Sequence, residues 1–156
     1  MLDDLLGFID DSTYRKAAAY CAYQERSQQE VRDKLYKLKL HHDDVEKVIA
    51  KLVQDNFINE ERFAIAYAGG KFRMKQWGKI KIKLMLQQKK VSVYCINKAL
   101  KEINERDYRN TIKKLIADAE KKITEKNPLK KNHRIAQHLI SKGFEAELVW
   151  GELGNV

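Results

Sequence analysis

GKIKIKLMLQQKKVSVYCINKAL, residues 78–100, decides the fold, because the chain carries its pattern three times. Its large apolar residues Ile82, Leu86, Val91, Ile96 and Leu100 are separated by 4, 5, 5 and 4 positions. Moving back 51 residues places the same intervals on Val31, Leu35, Leu40, Val45 and Ile49. Moving forward 53 places them on Ile135, Leu139, Phe144, Val149 and Leu153. A step of four keeps two side chains on one helical face, and two fives around a single apolar residue mark a short turn between two such helices. The pattern predicts a tandem array of about 50-residue helical units. An all-α fold follows: with seven glycines and one proline, long helices are allowed, and strand-like alternation is rare.

One stretch conflicts with that reading. Lys79, Ile80, Lys81, Ile82, Lys83 and Leu84 alternate strictly, which is the signature of a half-buried strand. An isolated strand would leave its backbone unpaired, and the counterparts of this segment in the other two units look helical, so a helix is expected. That helix puts Ile80 and Leu84 opposite the face of Ile82, Met85 and Leu86, and this second face must pack on a neighbouring unit or another protein.

Working outward, residues 1–12 are expected to be an amphipathic lead segment, with Leu2, Leu5, Leu6, Phe8 and Ile9 available for packing, or a frayed terminus. The expected units are 13–58, 59–105 and 106–156, each of three helices. Ala17, Ala18, Ala19, Tyr20 and Ala22 make a first helix that others can approach closely. Ser27 with Glu30 forms a capping box, and Asp43 with Glu46 repeats the device. Asn59, followed by Glu60 and Glu61, starts the second unit. Gly69 and Gly70 interrupt the next helix, implying a kink or a close backbone approach. The third unit opens near Asp107, Asn127 and Pro128 start a later helix, and Gly143 ends it with Phe144 in the turn.

The formal charge of +9 is unevenly placed. Residues 1–60 hold 9 basic and 12 acidic side chains, and residues 61–156 hold 22 and 10. This asymmetry points to a polyanionic partner, nucleic acid before membrane, or to a lysine-rich surface kept for solubility. Between Lys71 and Lys90 lie eight cations, Lys71, Arg73, Lys75, Lys79, Lys81, Lys83, Lys89 and Lys90, and no acid. These are the candidate binding residues. Phe72 and Trp77 among them could stack on bases or lie between helices. The cluster Lys113, Lys114, Lys121, Lys122, Lys126, Lys130, Lys131 and Arg134 is diluted by Asp118, Glu120 and Glu125 and reads as an ordinary charged face.

Nothing in the sequence carries catalysis: there is no glycine-rich phosphate loop, GxSxG elbow or HExxH. His133 and His138 diverge on a helix, and His41 and His42 sit in a turn, so no metal or other cofactor is expected. Cys21 and Cys95 read as small buried thiols. With no apolar run of 18 residues and an acidic start, the chain is expected to be intracellular and cytoplasmic.

ERSQQEVRDKL (25–35), LVQDNFINEERFAIAYA (52–68) and SKGFEAELV (141–149) resemble the RecX family of recombination regulators, NEERFAIAY being the most specific part. The resemblance implies three three-helix repeats in an elongated, curved, solenoid-like array. It further implies a non-catalytic protein of DNA recombination, DNA repair and the SOS response. Such a protein binds the RecA recombinase filament, lies in its groove, limits strand exchange and co-protease activity, and also binds DNA. Three features depart from the family pattern: Lys79 stands where proline is frequent, Lys90 where a turn glycine is frequent, and Gly69 with Gly70 where residues are bulkier. The alternatives are a helical-repeat protein that binds single- or double-stranded DNA with no recombinase, and an adaptor for an acidic protein. With no extra heptad seam, a monomer is expected.

Overall fold

The computed structural model describes residues 10–154, so the expected lead segment lies largely outside the described residues. Among the described residues are nine α-helices and no strand. The first trio is α1 (Asp11–Tyr23), α2 (Gln28–Lys37) and α3 (His42–Gln54). The second is α4 (Glu60–Lys75), α5 (Lys79–Gln88) and α6 (Val93–Lys101). The third is α7 (Glu105–Lys122), α8 (Pro128–Ser141) and α9 (Ala146–Gly154). Helices pack within trios: α2 on α1 and α3, α4 on α5 and α6, and α7, α8 and α9 on one another.

The repeated spacing has one structural cause. Lys39, Lys90 and Gly143 all adopt positive φ, at 65°, 61° and 98°. The next residue in each case, Leu40, Val91 or Phe144, donates its N–H five residues back, to Leu35, Leu86 or Leu139. The positive-φ residues themselves donate to Tyr36, Gln87 and Ile140. This is the Schellman closure, in which the apolar residue after the left-handed position folds back onto the last turn. It accounts for the first interval of five in each unit, the second being the entry into the next helix. Of the fifteen pattern residues, all are buried except Leu40 and Leu100, which are half-buried against the same cores.

Residues 79–88 are helical, as the repeat requires. Ile82 and Leu86 are fully buried, each contributing about 1.5–3 kcal/mol. Ile80 and Leu84 are 55% and 52% exposed, so no neighbouring unit covers the face that was expected to pack.

Capping follows the sequence with one exception. Ser27 and Glu30 form a complete box, and Asn59 and Asn127 accept from the first-turn amides. Asp43 does not cap: His41 holds that position without a side-chain bond, and Asp43 and Asp44 sit in the first turn of α3 beside its positive end. Glu46 turns instead to Arg32, at 2.7 Å. The third unit starts two residues before the expected Asp107, with Asn104 capping α7 and accepting from the Asp107 amide.

Gly69 and Gly70 neither break α4 nor receive another backbone. The three atoms nearest to a Cβ at Gly69 all belong to the guanidinium of Arg73, and one at Gly70 would meet nothing within 4 Å. The close approach lies at Gly78 and Gly143. A Cβ on Gly78 would fall 2.2 Å from the carbonyl carbon of Gly143, and one on Gly143 would fall 2.3 Å from Cβ of Lys81. Across this contact Gly78 N–H donates to the Lys142 carbonyl at 2.8 Å, and Ile80 N–H to that of Gly143 at 3.0 Å. The second and third trios also share one continuous core, running from Phe63 through Tyr108 to Leu153, whereas the first trio has its own, from Ala17 to Ile58.

Candidate functional site

The eight expected cations lie on the last turns of α4, on α5, and on the turn after it, and the structure divides them. Lys79 and Lys89 are committed to joints between trios. Lys89 reaches Glu30 of the first trio at 2.8 Å. Lys79 pairs with Glu105 of the third at 3.4 Å and stands 4.7 Å over the Tyr108 ring. Its backbone N–H donates to the Tyr108 hydroxyl at 2.9 Å, a bond that proline at this position could not make.

Tyr108 organises that joint. Fully buried, it lies between Phe72 and Phe144 with ring centroids 5.7 and 5.3 Å away, and its hydroxyl donates to Glu145. Burial, then the Glu145 carboxylate, holds its phenol well above the ordinary range. Phe72 belongs to this core and is 7% exposed, so it is no stacking platform. At the opposite end of the site, Arg109 and then Lys79 hold Glu105 below the usual carboxylate range.

Lys71 and Lys81 converge on Trp77, at 5.1 and 4.4 Å from its ring, and Lys71 also lies 5.5 Å from Tyr67. Trp77 is half-buried, so it is partly packed and partly available. Arg73, Lys75, Lys83 and Lys90 are exposed and have no carboxylate within ion-pair distance among the described residues. The same stretch of sequence also exposes the apolar Ile80, Leu84 and Met74, the last 83% exposed. A run of lysines in the sequence does not distinguish cations spent internally from those left outside.

A groove of about 550 Å³ opens between the first and second trios. Gln24, Glu25 and Glu30 form one wall, and Tyr67, Gly70, Lys71, Met74, Lys75, Trp77, Met85 and Lys89 are on the other. The sequence reading missed it, since its walls come from segments some 40 residues apart. At its edge Arg62 pairs with Glu25 and also donates to the carbonyls of Asn56 and Phe57.

Among the described residues no group of three or more His, Cys, Asp or Glu is placed to hold a metal. Cys21 and Cys95 are buried free thiols, and burial pushes Cys21 up to about 11. No helix among the described residues is long and apolar enough to cross a membrane.

The RecX second three-helix domain matches residues 59–100, and the RecX first three-helix domain matches residues 14–52, together just over half of the chain. The regulatory protein RecX of Streptococcus uberis is 30% identical over 141 residues, covering 90% of this chain and 54% of that one. That of Bacillus cytotoxicus is 27% identical over 136 residues, covering 87% and 50%. The chain therefore spans about half the length of the curated relatives it matches. The crystal structure of RecX from Lactobacillus salivarius aligns with a TM-score of 0.82 and 25% identity, over 99% of this chain and 97% of that one.

Proposed function

We infer, since this chain belongs to the RecX family, that it is a non-catalytic regulator of a RecA-type recombinase. In this reading it binds the recombinase filament on DNA, limits strand exchange and co-protease activity, and acts as a cytoplasmic monomer in repair and the SOS response. The units 13–58, 59–105 and 106–156 would contact successive protomers, so that modest contacts add through their linkage.

The observation that carries this reading is the exposed surface around α5. Arg73, Lys83 and Lys90 are exposed with no ion-paired carboxylate among the described residues, and the same stretch of chain exposes Ile80 and Leu84. Such a surface suits a partner that offers both acidic groups and apolar contacts, which a nucleoprotein filament does. Exposed cations gain most from a polyanion, because binding releases its counterions.

The test is co-sedimentation with recombinase filaments, compared with bare duplex at equal salt. Arg73→Glu combined with Lys83→Glu avoids Lys79, whose reversal would break the contact with Glu105 and Tyr108. Loss of filament binding and of inhibition by this double variant is expected. Retention of both would overturn the assignment. Equal binding to filament and bare duplex would favour a DNA-binding protein that needs no recombinase.

A further inference from the structure

The groove between the first and second trios has a composition that a joint alone does not require. Two of its cations, Lys71 and Lys75, have no carboxylate partner among the described residues, while its two acids are engaged, Glu25 by Arg62 and Glu30 by Lys89. Its aromatic surface is Tyr67 and Trp77. The ammonium groups of Lys71 and Lys89 now stand 5.5 and 5.6 Å from the Tyr67 ring. One carboxylate oxygen of Glu25, Oε2, is buried with no hydrogen-bond partner. The floor is kept open by Ala66 and Gly70, and a Cβ at Gly70 would meet nothing within 4 Å. Packing therefore does not demand glycine there, and glycine within a helix is unfavourable relative to alanine.

We propose that this groove takes one unstacked nucleotide of a single-stranded nucleic acid, its base against Tyr67 and Trp77 and its phosphates on Lys71 and Lys75. The proposal deepens the family reading, for it rests on nucleic acid being a ligand, and it places a strand away from the exposed face of Arg73 and Lys83. An aromatic platform flanked by flexible cations is the recurring way of holding a single strand without reading its sequence. The Lys71 ammonium, now over the Tyr67 and Trp77 rings, is free to swing to a phosphate when a base takes its place, because a lysine stem has several rotatable bonds. Duplex fits poorly, because its base faces are stacked on one another. The volume of the groove, about 550 Å³, is ample for one nucleotide and far too small for a double helix.

Gly70→Met fills the groove from a position with open space around it, and methionine favours the helix over glycine, so the fold is retained. The probe is a labelled oligothymidylate, with an equal length of duplex alongside, each titrated at one salt concentration. Circular dichroism and thermal unfolding check the variant. At least a fivefold loss of single-strand affinity is expected, with duplex affinity and filament co-sedimentation unchanged. Lys75→Gln should weaken the single strand and flatten its salt dependence. Unchanged single-strand affinity in a folded Gly70→Met variant overturns the proposal. If filament co-sedimentation fell instead, the occupant would be a protein side chain rather than a base. Failure of the family reading shows separately, as an Arg73→Glu and Lys83→Glu double variant that still sediments with filaments.

Discussion

The joint between the first and second trios and the joint between the second and third differ in kind. The first is made of charged side chains: Arg62 with Glu25 and Lys89 with Glu30, with a solvent-open groove beside them. The second is made of backbone and aromatic rings: the Gly78 and Gly143 contact, two main-chain hydrogen bonds, and the row Phe72, Tyr108, Phe144 in one shared core. Ion pairs whose side chains are a quarter to two-fifths exposed are weakened by salt and contribute little, about 1 kcal/mol or less each. Packed rings and main-chain bonds are screened far less. Similar units need not be joined alike: the groove beside the charged joint, about 550 Å³, is larger than the one of about 360 Å³ that Phe72, Arg73 and Asp107 line at the packed joint.

Breaking the stronger joint should have the largest effect. Gly78→Ala places a Cβ where the Gly143 carbonyl carbon lies 2.2 Å away, and since both are backbone neither can move aside cheaply. A loss of about 3 kcal/mol is expected in urea unfolding, with the second and third trios separating. A loss under about 0.5 kcal/mol would mean that the two trios are not held at this contact.

Next in size is Tyr108→Phe, which keeps the ring and removes the hydroxyl that Lys79 N–H and Glu145 share. About 1–3 kcal/mol should go. The same hydroxyl sets a pH dependence. Its folded pKa is raised above the ordinary 10.0, so its contribution is complete below pH 10 and is lost as the pH rises through the folded value. Tyr14, whose hydroxyl donates to Asp55 and whose phenol is raised by burial, behaves alike within the first trio. Thermal unfolding from pH 8 upward should show stability falling beyond about 10, with a shallower fall in Tyr108→Phe. Parallel curves would exclude the hydroxyl as the cause.

The smallest effect belongs to the weaker joint. Arg62→Ala should cost about 1 kcal/mol or less at low salt, shrinking as salt rises, when stability is followed by urea unfolding. A salt-independent cost of several kcal/mol would place this pair in the same class as the glycine contact.

How much of this was legible in the sequence follows from the range of each cause. The interval pattern was readable because a Schellman turn and its flanking helices are set within about twenty residues, and so were the caps at Ser27, Asn59 and Asn127. The Asp43 cap misread a first-turn acid as a cap residue, since both positions favour aspartate. Gly69 and Gly70 looked like the place of backbone contact because local propensity is all that a glycine shows in a sequence. The actual contact, Gly78 with Gly143, depends on another unit lying alongside. The eight cations were legible as a run but not as a site, because Glu30 and Glu105, which engage Lys89 and Lys79, are 59 and 26 residues away.

Distances between paired labels report whether the second and third trios form a firm pair while the first is held by screened charges. Exposed Ala50, Asn97 and Gln137 sit one in each trio, and Ala50→Cys, Asn97→Cys and Gln137→Cys can be labelled while the buried Cys21 and Cys95 stay protected. As salt is raised, the distribution between positions 50 and 97 should broaden while that between 97 and 137 stays narrow. Equal broadening of both, or of neither, would contradict that arrangement.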